Sequence, residues 1–408
     1  MSRINPGSVL GTRRPAALVS GILLVAVVCA SASLLWRQPK GHKAPYIESP
    51  PKTVLSAHGV KDLPYAPDAL PGGRDVATPY GSIRVYEWGP VDGERVLFVH
   101  GISTPIIGLG DLGHEMVARG YRVILFDLFG RGYSDAPSDL TYDSRLYVTQ
   151  LLLVLASSQV PWTASSGFHL VGYSLGGGLA VAFTRYFPHL VRSLCLIAPG
   201  GLIRRHHVGW RSWLYYNSGL LPEFLVAPLV RRRIRPATRP QPAQSASALD
   251  IMAAEGEQRV SGDGDANGGA GFDSAAISQT RPHVTVSEVV AWQVDCHPGF
   301  VTAFLSTIRN APIYAPQEDW EVLSRILEAR RDILASGTEA QAGLKEGKIL
   351  LVLAKDDGVV VMDETIEDAY AVLGHDGVEF VVHEGGHELP ITSSASVAAS
   401  IESFWASR

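Results

Sequence analysis

Between residues 168 and 187, an apolar run, Phe168-His-Leu-Val-Gly172, passes into Gly172-Tyr173-Ser174-Leu175-Gly176 and then into small and apolar residues with helical spacing. No other feature limits the fold so much. A strand that turns sharply into a helix leaves room only for small residues two places before and after the turn. Gly172 and Gly176 stand there, and Gly177 and Gly178 let the helix pack closely. A serine at the apex is lifted above the sheet, over a helix N-terminus whose partial positive charge suits an oxygen turning negative. Ser174 is therefore the candidate nucleophile, and the chain must supply a sheet to carry it.

Short, continuous, β-branched runs recur at Arg95–Val99, Arg122–Phe126, Phe168–Gly172, Ser193–Ala198, Lys348–Ala354 and Val378–Val382. Such runs suit strands buried on both faces of a parallel sheet. Ser82–Trp88 alternates and reads as an early antiparallel strand. Helical patterns fall between them, near 107–119, 144–158, 175–187, 361–373 and 392–405. The alternation predicts the α/β class, with a mostly parallel central sheet flanked by helices. Ligands of such sheets bind beyond the carboxyl ends of the strands. A chain of 408 residues, 46% apolar, fits one large domain of this kind with insertions.

The remaining candidates also follow strands. His100-Gly101-Ile102 closes Arg95–Val99, where donors to an oxyanion belong, and the backbone N–H groups of Ile102 and Leu175 are the pair expected. His100 itself reads as a structural residue under that loop. After the last strand, His383-Glu-Gly-Gly-His387 offers two histidines; the glycines let His387 swing over the serine, whereas His383 sits at the strand end. After Lys348–Ala354 come Asp356 and Asp357, either of which could orient the imidazole. Asp127-Leu-Phe-Gly-Arg131-Gly-Tyr-Ser-Asp135 lacks the Walker lysine and the dinucleotide glycine spacing, so it reads as a structural turn in which Asp127 holds backbone.

A net charge of −5 gives no electrostatic footprint for nucleic acid. Cys29, Cys195 and Cys296 are too few and too scattered for a disulfide framework, and no pair has metal-ligand spacing, so neither a metal nor a cofactor is expected.

Pro15–Trp36 is an almost unbroken apolar run, with Arg13 and Arg14 before it and Arg37, Lys40 and Lys43 after it. About 20 such residues span a bilayer, so a single-pass anchor is expected. The rival is a secretory signal cleaved after Ala30-Ser31-Ala32. The boundaries read as a tail 1–14, an anchor 15–36, a linker 37–79, a first core segment 80–202, an inserted helical cap 203–342 and a second core segment 343–408. Within the cap, 236–282 is poor in apolar residues and is expected to be a flexible excursion.

Phe98-Val-His-Gly-Ile102, Phe126-Asp-Leu-Phe-Gly-Arg-Gly-Tyr-Ser134, Gly172-Tyr-Ser-Leu-Gly-Gly177 and Gly385-Gly-His387 together resemble the α/β-hydrolase superfamily. They look most like its AB-hydrolase-1 branch, which includes monoacylglycerol lipases, valacyclovir hydrolase and carbon–carbon bond hydrolases. The resemblance implies an α/β-hydrolase fold and a Ser-Asp-His order along the chain. Family members place the acid in a Gly-x-x-Asp-like turn. Ala354-Lys-Asp-Asp357 fits it in register, with alanine for glycine, and so favours Asp357 over Asp356. The function implied is a membrane-tethered carboxylic ester hydrolase acting on a small, hydrophobic or lipid-derived ester. Amide, thioester or carbon–carbon cleavage by the same residues is the alternative, and a non-catalytic scaffold on a hydrolase fold is the second.

Overall fold

Ten strands occur among the residues that the computed structural model describes, namely 45–50, 63–164, 166–207, 223–234, 269–315, 318–337 and 343–406. They are β1 (Tyr46–Ile47), β2 (Gly73–Thr78), β3 (Gly81–Trp88), β4 (Arg95–Val99), β5 (Arg122–Phe126), β6 (Ala136–Pro137), β7 (Phe168–Tyr173), β8 (Val191–Ile197), β9 (Ile349–Ala354) and β10 (Val378–His383). Eight of them form one sheet in the order β10-β9-β8-β7-β4-β5-β3-β2. Only the β2–β3 and β3–β5 pairs are antiparallel; the other five are parallel. This is the mostly parallel sheet of an α/β-hydrolase fold.

The inner strands β4, β5, β7, β8 and β9 are buried along nearly their whole length. Covered on both faces, they need apolar residues at successive positions, which is why they read as unbroken runs. The helices covering them include α1 (Gly110–Ala118), α2 (Ser144–Ala156) and α3 (Leu175–Tyr186). Asp143 caps α2, its carboxylate accepting from the Arg145 and Leu146 amides, so the helix starts where the linking loop ends.

The sheet begins earlier than the expected Tyr80. Strand β2 pairs with β3 across a tight turn that sets Thr78 opposite Gly81. Its sequence, Gly-Arg-Asp-Val-Ala-Thr, alternates exposed and half-buried positions, as an edge strand does, and has no apolar run to betray it. Tyr65 and Leu70, also in the expected linker, are buried. Asp135 binds the amides of Ser49 and Ser82, tying the lead-in to β3.

The region between β8 and β9 contains α4 (Glu223–Ile234), α5 (Gly269–Ser274), α6 (Val286–Cys296), α7 (Phe300–Asn310) and α8 (Glu318–Ala335). A reciprocal capping box between Thr285 and Glu288 starts α6. Helix α8 belongs to the layer flanking the sheet rather than to a lid: Arg185 of α3 bonds Asp319 at 2.7 Å and Glu318 at 3.0 Å, and Leu323 and Leu327 are buried. Within the stretch expected to be flexible, the described residues 271–282 pack part of their side chains into the core. Phe272 and Ile277 are buried, and Asp111 of α1 accepts hydrogen bonds from the Ser278 hydroxyl and the Gln279 amide. Phe272, Ala275 and Ile277 face inward, which average composition hides. The helices α9 (Met362–Leu373), α10 (Leu389–Thr392) and α11 (Ser394–Ala406) complete the fold.

The expected anchor at 15–36 and residues 236–268 lie outside the described residues. No described helix is long and apolar enough to cross a membrane. Cys195 and Cys296 are free.

Candidate active site

Strands β4 and β7 are neighbours at the middle of the sheet, where the chain first runs to β5 on one side and then crosses to the other. A crevice opens at such a reversal, beyond the strand ends. Ser174 stands there, between β7 and α3, at φ 53° and ψ −121°. That backbone conformation costs a non-glycine residue on the order of 1–3 kcal/mol and survives only where neighbours fix it. Three hydrogen bonds do so: the Ser174 amide donates to the Ile197 carbonyl (3.0 Å), and its carbonyl accepts from the Gly177 (2.8 Å) and Gly200 (2.7 Å) amides.

The glycines around it are sterically required. A Cβ on Gly172 would lie 2.4 Å from the Gly176 carbonyl oxygen, and one on Gly176 would lie 2.1 Å from that of Val99. The turn therefore packs directly on the end of β4. The loop leaving β4 passes just as close, since a Cβ on Gly101 would be 3.3 Å from that of Ser174.

His387 reaches this point from the loop after β10. Its Nε2 lies 3.1 Å from Ser174 Oγ and its Nδ1 lies 2.8 Å from Asp357 Oδ2. The other Asp357 oxygen accepts from the Val359 (2.8 Å) and Val360 (2.9 Å) amides, which fixes the carboxylate. All three residues are buried. Asp356 is exposed and points elsewhere; only its amide takes part, donating to the Gly385 carbonyl of the histidine loop. His383 bonds the Ser400 hydroxyl at 3.0 Å, away from Ser174.

Ile102 and Leu175 flank the serine on the β4 loop and on the first residue of α3. Among the described residues, neither backbone N–H donates to a protein acceptor. His100 is fully buried beneath the loop. Its Nδ1 donates to the Gly101 carbonyl (2.7 Å) and its Nε2 accepts from the Leu128 amide (2.9 Å), the neutral tautomer alone satisfying both. Burial holds its pKa down to about 3. His297 is neutral likewise: its Nε2 donates to the Ser134 carbonyl, its Nδ1 accepts from the Gly299 amide, and burial holds it to about 4. Asp127 accepts from the Ile106 and Tyr133 amides and the Tyr65 hydroxyl, while burial raises it to about 6.

These shifts oppose one another. Both histidines must be protonated on unfolding below pH 6.5, so each makes stability fall as pH drops. Asp127 takes its proton in the folded state first, so it makes stability rise. Between pH 6 and 5 the two histidines outweigh the one aspartate, so unfolding takes up protons on balance and the free energy of unfolding should fall, by roughly 1–2 kcal/mol. Urea unfolding at the two pH values measures this; equal midpoints would overturn the predicted balance between the histidines and Asp127.

Three contributors escaped sequence analysis. The Tyr173 hydroxyl donates to the His387 carbonyl at 2.6 Å. Phe272 of α5 sets its ring centroid 5.8 Å from that of His387. Gln293 of α6, fully buried, accepts from the Gly132 amide (2.9 Å) and donates to the Ser103 carbonyl (2.8 Å). The one legible signal was a glutamine beside Val289, Val290, Trp292 and Val294, a polar residue on an otherwise apolar stretch. Among the described residues, no cluster of three or more His, Cys, Asp or Glu is placed to hold a metal.

The family model for the alpha/beta hydrolase fold matches residues 94–393. Lipase 1 of Psychrobacter immobilis is 32% identical over 122 residues, 30% of this chain and 37% of the lipase. The 2-hydroxymuconate semialdehyde hydrolase of Pseudomonas sp. strain CF600 is 35% identical over 112 residues, 27% of this chain and 38% of that enzyme. The chain thus spans about two fifths of the length of the curated relatives it matches. A crystal structure of a membrane phospholipase A superposes with a TM-score of 0.53 at 17% identity, covering 96% of this chain and 97% of that one, a likeness of fold.

Proposed function

We propose, from the premise that this chain belongs to the alpha/beta hydrolase fold family, that it is a serine hydrolase of carboxylic esters. The observation that carries the reading is His387 bridging Ser174 at 3.1 Å and Asp357 at 2.8 Å in one buried line. In this reading Ser174 Oγ attacks the acyl carbon as His387 Nε2 takes its proton, and Asp357 stabilises the resulting imidazolium. The carbonyl oxygen, now negative, accepts from the Ile102 and Leu175 amides. Collapse expels the alcohol, which leaves with the proton from Nε2, and an acyl-enzyme remains. Water then attacks that ester with His387 again as base, releasing the acid and restoring Ser174.

The Psychrobacter lipase supports an ester substrate. The Pseudomonas semialdehyde hydrolase favours a second reading, carbon–carbon cleavage by the same residues. A panel of p-nitrophenyl esters and ring-cleavage diketo acids separates the two. The apolar run 15–36 supports a membrane-tethered enzyme; carbonate extraction of membranes from expressing cells tests it, since release of the full-length chain would refute tethering.

The direct test is labelling by a fluorophosphonate, which reacts only with an activated serine. The wild-type chain should label, and Ser174→Ala, with an unchanged circular dichroism spectrum, should not. Equal labelling of both would place the nucleophile elsewhere.

A further inference from the structure

Arg131 is fully buried, and among the described residues no carboxylate pairs with it. A lone guanidinium at such a site is costly unless its donors are satisfied. Four hydrogen bonds engage four of its five N–H donors. Nε donates to the Ile102 carbonyl (3.1 Å), Nη1 to the Phe129 carbonyl (3.1 Å) and the Tyr147 hydroxyl (3.2 Å), and Nη2 to Thr307 Oγ1 (3.0 Å). The hydroxyl polarity is determined. Thr307 spends its one proton on the Ala303 carbonyl (2.7 Å), so the Tyr147 hydroxyl donates to Thr307 (2.7 Å) and accepts from Arg131. Thr307 and Ala303 lie on α7, Tyr147 on α2 and Ile102 on the loop beside Ser174.

The geometry points to Arg131 as a positioning residue for the oxyanion loop, a role that rests on the proposed serine chemistry. One planar group grips the peptide that follows the Ile102 amide's own residue and anchors it to two helices at once. Gln293 grips the next carbonyl, that of Ser103, from α6. The loop carrying one oxyanion donor is thereby held from the inserted helices as well as from the sheet. A positive charge with no carboxylate partner among the described residues also sits behind the place where negative charge would develop, in a buried medium that screens it weakly. Lysine could keep the charge but not the fork that reaches Ile102, Tyr147 and Thr307 together.

The test compares wild type, Arg131→Met, Arg131→Lys and Thr307→Val in fluorophosphonate labelling rate and in p-nitrophenyl ester kcat and KM, normalised to titrated active sites. Wild type should label. Arg131→Met should label about 10²-fold more slowly and lose kcat in proportion, with KM held within about threefold, as for loss of one oxyanion contact. Arg131→Lys should fall between. A role in stability alone would lower the unfolding midpoint and leave the titrated kcat unchanged, which overturns the assignment. If Arg131→Met fails to fold, Thr307→Val decides: labelling slowed about fivefold supports the tether, the scale of one lost hydrogen bond, and an unchanged rate refutes it. A folded wild type that does not label refutes the serine chemistry itself, and this inference with it.

Discussion

His387→Ala should lower kcat on a p-nitrophenyl ester on the order of 10⁶-fold, and Asp357→Asn about 10⁴-fold, with little change in KM. The histidine has the larger effect because both proton transfers run through Nε2. The aspartate acts one step removed: its Oδ2 holds Nδ1 at 2.8 Å, which sets the tautomer that leaves Nε2 free to accept from Ser174. Asparagine could offer an N–H there and favour the wrong tautomer. Asp356→Asn is the matched control. Its side chain is exposed and only its backbone meets the histidine loop, so turnover should stay within about twofold, as for an ordinary surface substitution. If Asp356→Asn were the damaging change and Asp357→Asn the silent one, the acid would be misassigned; wild-type turnover by His387→Ala would remove the mechanism.

Gly176→Ala should be among the most destabilising single-methyl additions in the core. The new Cβ would stand 2.1 Å from the Val99 carbonyl oxygen and 2.8 Å from that of His100, both backbone atoms. Relief requires α3 to lift off the end of β4, which disturbs the centre of the sheet. Overpacking of this kind costs about 3 kcal/mol or more. The thermal midpoint should drop by about 4 °C or more. Gly358→Ala, whose Cβ would meet nothing within 4 Å, should change stability by less than about 0.5 kcal/mol. Melting curves of the two variants followed by circular dichroism compare them directly, and equal midpoints would mean that the turn is looser than its geometry implies.

What could be read from the sequence was local. The inner strands announced themselves because burial on both faces forces consecutive apolar residues, and the Ser174 turn because its steric limits fall on fixed offsets from the serine. The edge strand β2 did not, since a half-exposed strand such as Gly-Arg-Asp-Val-Ala-Thr has no need of an apolar run. Asp356 and Asp357 could not be told apart by spacing. The turn after β9 sends one side chain inward and the other out, and only the family likeness indicated which. The residues that brace the site were hidden for a different reason. Arg131 meets Thr307 across 176 positions and Gln293 meets Ser103 across 190. Contacts of that span depend on how separate layers come together, and only Gln293, polar among apolar neighbours, left a local sign of its burial.

Ser174 and His387 are 213 positions apart, and β9 and β10, which bring the acid and the base, join the sheet at β8 only after the whole inserted helical region has been made. Closing so large a loop is slow, and a fold dominated by such distant pairings has high contact order. In chain order, seven of the eight sheet strands are complete with β9, and His387 follows in the loop after β10. An emerging chain therefore carries its serine turn long before anything can activate it. Under the proposed mechanism the serine meets its base only once the last strand of the sheet has docked, so turnover would serve as a reporter of completed folding.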